Sequence, residues 1–150
     1  MVELKKLITI GLCITTAIFL IILLGISGAN KDKQGEANGR AWESSDIMAG
    51  FAITGITIGL LFCGAGVFIM FYIKFCNYFM AAFWAVYALS IFFISASFGI
   101  YCNVNYGTGG NMPDLWKAEI AFSVFCVVLL TASNIMCTLC VMVLRTAEAV

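Results

Sequence analysis

The stretch from Ile47 to Ile73 reads IMAGFAITGITIGLLFCGAGVFIMFYI, 27 residues without one Asp, Glu, Lys or Arg. A helix crosses about 30 Å of hydrocarbon with roughly 20 mainly apolar residues, so this run reads as a membrane span with length to spare. At 1.5 Å per residue it would cover about 40 Å, which predicts a helix that tilts or protrudes. Three further runs share its character: 7–30, 75–113 and 120–144. Together the four leave little of the 150 residues outside lipid. The expected fold is all-α, an integral membrane four-helix bundle running up-down-up-down with short loops. It forms one domain over 1–150, with helices near 5–28, 46–74, 77–102 and 114–145 and outer loops at 29–45 and 103–113.

Composition agrees. Hydrophobic residues make up 63% of the chain and charged residues 11%, against about 25% charged in soluble domains. Formal net charge is zero and no basic block occurs, which sets aside nucleic acid, whose backbone must be met by clustered Lys and Arg. Lys5 and Lys6 ahead of an apolar run imitate a secretory signal. However, Leu7 to Ile26 is 20 residues, longer than the roughly 7–15 of a signal core, so a retained helix is expected.

Orientation rests on Lys and Arg beside the spans. Lys5, Lys6, Lys74 and Arg145 fall on one side, and Lys31, Lys33, Arg40 and Lys117 on the other, a tie at four each. The second set mostly shares a loop with Asp32, Glu36, Glu43 and Asp46, whereas the first set abuts the helices directly. Both termini are therefore expected in the cytoplasm, in a plasma membrane or endomembrane of a eukaryotic cell. The first outer loop, from Ala29 to Ser45 and including Asn30, is expected to be solvated. The second, NVNYGTGGNMPDL from Asn103, carries the only proline and several glycines, which mark turns. Trp42 and Trp116 flank these loops, where indole rings favour the headgroup level.

The chain has no histidine, so His-ligated haem, a His-based zinc site and a His general base are all missing, and neither cofactor nor metal is expected. No acid is expected inside a span, Glu119 lying at the outer end of the fourth helix, so the carboxylates of proton relays are missing too. The reading is of a non-enzyme. Cys137-Thr-Leu-Cys140 has the C-x-x-C spacing of thiol oxidoreductases, but no second thiol pair stands in the first outer loop to relay electrons. The seven cysteines otherwise read as small polarizable packing residues. Cys76 and Cys140, close to the cytoplasmic ends of spans, are candidate acylation sites.

Helix surfaces carry more information. Gly55-Ile-Thr-Ile-Gly59 is a GxxxG, and Ala81/Ala85 and Ser95/Gly99 repeat small residues at the same interval. Small residues let backbones approach in lipid, where close packing and interhelical hydrogen bonds hold helices together. Gly55, Gly59, Ser95 and Gly99 are thus packing or interface residues, toward a neighbouring helix, a partner or a second copy. On the fourth helix Ser123, Thr131, Asn134 and Thr138 share a face, and Asn134 is expected to bond a hydroxyl or a backbone carbonyl inside the bundle. Phe68, Phe71, Phe75, Phe92, Phe93 and Phe98 offer bulky surface to lipid or to another protein.

Four helices, short external loops, the aromatic third span Asn77-Tyr-Phe-Met-Ala-Ala-Phe-Trp-Ala-Val-Tyr-Ala-Leu and the small-residue start of the fourth, Ala118-Glu-Ile-Ala-Phe-Ser-Val-Phe, resemble the MARVEL-type tetraspan proteins. The resemblance is one of pattern and runs the length of the chain. It implies a role in membrane apposition, vesicle traffic or junction organisation. Claudins and tetraspanins fit less well, because the cysteine motifs of their extracellular loops have no counterpart. Two non-enzymatic readings follow. One is a scaffold that associates laterally with copies of itself or other membrane proteins; the other is an accessory subunit of a larger channel, receptor or respiratory-type complex. A thiol oxidoreductase using Cys137 and Cys140 stands third.

Overall fold

The structure is a computed structural model, and it describes residues 2–34, 41–72, 76–107 and 114–148. Four helices account for nearly all of them: α1 (Val2–Gln34), α2 (Ala41–Phe71), α3 (Cys76–Gly107) and α4 (Asp114–Glu148). Each holds a segment long and apolar enough to cross a membrane: Glu3–Asn30, Ile47–Phe71, Phe79–Ile100 and Asp114–Leu144. Helix is the form this composition demands, because a backbone in hydrocarbon must satisfy every N–H and C=O internally. That requirement overrides the ordinary helix penalty of the many β-branched residues and glycines.

The helices mostly extend past the expected limits, although α2 ends three residues early. α1 continues through Gln34 and α3 through Gly107, while α2 starts at Ala41 and stops at Phe71. Hydropathy marks where hydrocarbon ends, but the i to i−4 ladder can continue into the polar layer, and α1 runs through Gly28 without a break. Asn30, expected in a solvated loop, instead lies in α1 and is 1% exposed. The centres of both expected outer loops, 35–40 and 108–113, and the turn residues 73–75, lie outside the described residues.

Packing follows the chain around a square. α1 lies on α2, α2 on α3, and α4 returns to α1, while α3 and α4 meet less closely and α2 touches α4 across the centre. One core runs through all four helices, including Leu20, Leu23, Ile56, Phe62, Phe83, Ile94, Cys126 and Leu130. Phe62 stacks on Phe83 with ring centroids 4.4 Å apart and tilts against Tyr87 at 5.7 Å. A smaller cluster, at the end of the bundle away from the termini, joins Met48 to Ile100, Trp116 and Ile120. Trp116 is thus half-buried against protein rather than held only at a headgroup boundary.

Candidate functional site

Two interior seams and one open face hold the residues that the sequence singled out. The first seam joins α2 to α3 and is built on the GxxxG. A Cβ on Gly55 would lie 2.8 Å from Ile94 Cγ1 and 2.9 Å from the Ile94 backbone nitrogen. On Gly59 it would lie 2.9 Å from Ser90 Oγ and 3.0 Å from Leu20 Cδ1. At Gly55 a side chain would collide with the Ile94 backbone, whereas at Gly59 it would have to displace the side chains of Ser90 and Leu20. The approach lets Ser90 donate from Oγ to the Gly55 carbonyl at 2.9 Å, and farther along Ser97 donates to the Met48 carbonyl at 3.1 Å. The glycines therefore serve the interior of the monomer, with serine hydroxyls bonding across the gap that they open.

The second seam, between α1 and α4, shows a period that the sequence reading missed. Thr9, Cys13, Thr16, Leu20, Leu23, Ser27 and Asn30 are all buried, in steps alternating four and three. On α4 the buried set Glu119, Ser123, Cys126, Leu130, Ser133, Cys137 and Cys140 has the same steps. This is the heptad spacing of a coiled coil, here written with small and polar residues instead of large apolar ones. Running antiparallel, the stripes bring Cys13 Sγ within 3.9 Å of Cys137 Sγ and Thr16 Oγ1 within 2.9 Å of Ser133 Oγ. The threonines also bond back to their own helix, Thr9 to the Lys5 carbonyl and Thr16 to the Leu12 carbonyl, both at 2.8 Å. Hydroxyls are cheap to bury when the preceding turn satisfies them.

At the end of this seam farthest from the termini lies a buried carboxylate, which overturns the expectation that no acid enters the bundle. Glu119 is 1% exposed, and it accepts hydrogen bonds from Ser27 Oγ and from Asn30 Nδ2. Its position one residue before the charge-free run 120–144 made it look peripheral. α4 begins at Asp114 and already packs against the bundle at Trp116 and Ile120, which carries Glu119 inside. The heptad register was the signal that could have found it, since Glu119 stands four residues before Ser123 on the buried stripe.

Five of the thiols are packed inside the bundle. Cys13, Cys63, Cys126, Cys137 and Cys140 are buried, and Cys102 is exposed. Cys137 makes its thiol contact with Cys13 on another helix, rather than with its C-x-x-C neighbour Cys140. Cys140, a candidate acylation site, turns inward and is 3% exposed. Cys76 opens α3, and its side chain lies outside the described residues. Among the described residues no group of three or more His, Cys, Asp or Glu side chains is placed to hold a metal ion.

Along α3 and α4 the polar stripe is partly used. Tyr87 Oη lies 3.0 Å from Thr131 Oγ1, and Trp84 Nε1 donates to Thr138 Oγ1 at 3.2 Å. Asn134, expected to be bonded within the bundle, has a buried Oδ1 without a hydrogen-bond partner. Bonds form instead at Thr131 and Thr138, to Tyr87 and Trp84 of α3. Farther from the termini the two helices part around a groove of about 180 Å³ lined by Ser95, Phe98, Ser123 and Val127.

The open face belongs to α3. Only 17% of the most apolar window in Phe79–Ile100 is buried, against 44% in Ile47–Phe71. Ala81, Ala85, Ala88, Phe92, Ser95 and Gly99 are exposed and again step by four and three. A Cβ on Gly99 would meet nothing within 4 Å. Gly99 therefore faces away from the monomer, unlike Gly55 and Gly59, while Ser95 is exposed at the rim of the α3–α4 groove. Phe68, Phe71 and Phe92 are exposed as expected, whereas Phe93 is half-buried and pairs with Phe51 at 5.7 Å. Phe75 lies outside the described residues. Comparison with protein families, with characterised proteins and with solved structures finds no match.

Proposed function

We propose that this chain is a non-enzymatic tetraspan protein that works by lateral helix association, as a membrane-organising, junction or vesicle scaffold of the MARVEL-like kind. The observation that supports this reading is the division of labour among its small residues. Gly55 and Gly59 are consumed by the monomer's own core, while the stripe through Ala85, Ser95 and Gly99 is left on the surface. In lipid, such a stripe is the surface on which another helix packs closely. Both termini lie in the cytoplasm in this reading, in a eukaryotic plasma membrane or endomembrane, with partners that are lipid, further copies or other membrane proteins.

The aromatic exterior supports a second reading, an accessory subunit docked on a larger complex. Phe68, Phe71, Phe79, Trp84 and Phe92 are all exposed large side chains on α2 and α3. Catalysis by Cys137 and Cys140 has less support, since both thiols are buried.

Ser95→Leu with Gly99→Leu tests the α3 face, with Gly25→Leu on the open side of α1 as control. Mass measured after mild extraction into nanodiscs is expected to fall to monomer in the α3 variant alone. A wild-type protein that is already monomeric and free of other polypeptides would end the association reading. A fixed stoichiometric partner of different sequence would replace the scaffold with the accessory subunit.

A further inference from the structure

We propose that the cleft between the start of α1 and the end of α2 binds one phospholipid whose headgroup is zwitterionic and carries a primary amine, phosphatidylethanolamine. The cleft has a volume of about 610 Å³ and is lined by Glu3, Lys6, Leu7 and Ile10 of α1, with Leu4 beside them, and by Met70 and Phe71 of α2. Ligand sites commonly run from about 300 to 1,000 Å³, with mostly apolar walls and a few polar groups that fix orientation. This cleft has that make-up, and its polar groups stand at one end. Glu3 and Lys6 precede the charge-free run that begins at Leu7, which puts them at the headgroup layer. Ile10 lies about 10 Å deeper than Glu3 at 1.5 Å per residue, within reach of an acyl chain. Met70, 2% exposed, closes the floor, while Leu7 and Phe71 are exposed walls.

The charges select the headgroup. Among the described residues the cleft is lined by one acid and one base, and they pair, Lys6 Nζ donating to Glu3 Oε1 at 3.3 Å. Lys6 is the more buried partner, its side chain 25% exposed against 88% for Glu3. A solvated pair of this kind is held only weakly, so both charges stay available to a ligand. A phosphate against the Lys6 ammonium and an ammonium against the Glu3 carboxylate complete a ring of four alternating charges. A purely anionic headgroup would meet the repulsion of Glu3. A choline headgroup carries the positive charge but no N–H, and so forgoes the charge-assisted hydrogen bond to the carboxylate. Among the described residues none of α3 lines the cleft, so lipid binding here does not depend on lateral association.

The full chain is placed in phosphatidylcholine nanodiscs holding a minor fraction of phosphatidylethanolamine, released in the gas phase and weighed with the lipid that it retains. One phosphatidylethanolamine is expected to stay bound, in several-fold excess over phosphatidylcholine after correction for mole fraction. Glu3→Gln is expected to remove that excess, and Lys6→Gln to lower retention of both lipids. A phosphatidylethanolamine with a photoreactive diazirine near the head of its chain locates the site in the wild-type protein without any substitution. Labelling is expected at Leu7, Ile10, Met70 or Phe71. Equal retention of the two lipids, stronger retention of phosphatidylglycerol in a parallel series, or an excess kept by Glu3→Gln would overturn the site. Labelling spread evenly over the four helices would do the same, since it marks lipid that merely surrounds the bundle.

Discussion

Gly55 and Gly99 are the same residue type on neighbouring helices, yet the space around them is opposite. A methyl group at Gly55 must displace Ile94 side chain and backbone, both under 3 Å away. Gly55→Ala is therefore expected to destabilise the protein by about 1–3 kcal/mol, the usual cost of overpacking. Gly99→Ala should change stability by no more than about 0.5 kcal/mol, because it meets open surface. Reversible unfolding in mixed micelles measures both, and equal losses would show that α2 and α3 approach less closely than these distances require. At the next seam, Thr16 and Ser133 form an interhelical contact between hydroxyls 2.9 Å apart. A double-mutant cycle with alanine is expected to give a coupling of about 0.6 kcal/mol, the typical value inside membranes, and no more than about 1.7. A coupling of zero would mean that each hydroxyl is satisfied fully by its own helix. The GxxxG was legible in the sequence as a packing motif, but its direction was not, because spacing says which residues share a face and nothing about what covers it.

The helix is the scale at which α1 and α4 differ from an ordinary apolar pair. Their buried stripes mix hydroxyls, thiols, an amide and a carboxylate with only a few leucines, and the heptad steps hold from Thr9 to Asn30 and from Glu119 to Cys140. In lipid this is sensible, since leucine gains nothing by leaving acyl chains for another helix, whereas small side chains allow close contact and polar ones find partners. The register is checkable through the thiols. In a variant keeping only Cys13 and Cys137, a membrane-permeant oxidant is expected to link the two, because their sulfurs lie 3.9 Å apart. A variant keeping Cys13 and Cys126 should not link, since Cys126 lies about three turns farther along α4, roughly 16 Å at 5.4 Å per turn. Peptide mapping after proteolysis distinguishes the outcomes, and the reverse result would move the register. The steps of four and three were present in the sequence all along. They went unread because periodicity is normally sought in apolar residues, and here the apolar residues lie all round each helix.

Four antiparallel helices are an even number, so the molecule as a whole places both termini on one side of the bilayer. Protease protection of tags at the two ends should therefore give the same answer for both, with a tag inserted at 35–40 giving the opposite one; termini on different sides would exclude four spans. The sequence by itself determined that four helices cross lipid, because charge exclusion over some 20 residues is a property of each segment alone and needs no neighbour. It also determined that these 150 residues supply no histidine to any site, whatever the fold. Tertiary structure alone decided which small residues are spent inside and which remain outside, and that Glu119 and Asn30 meet within the bundle. The reason is that in a membrane both faces of a helix are apolar, so hydropathy no longer distinguishes core from surface. Only the packing of one helix on another makes that distinction.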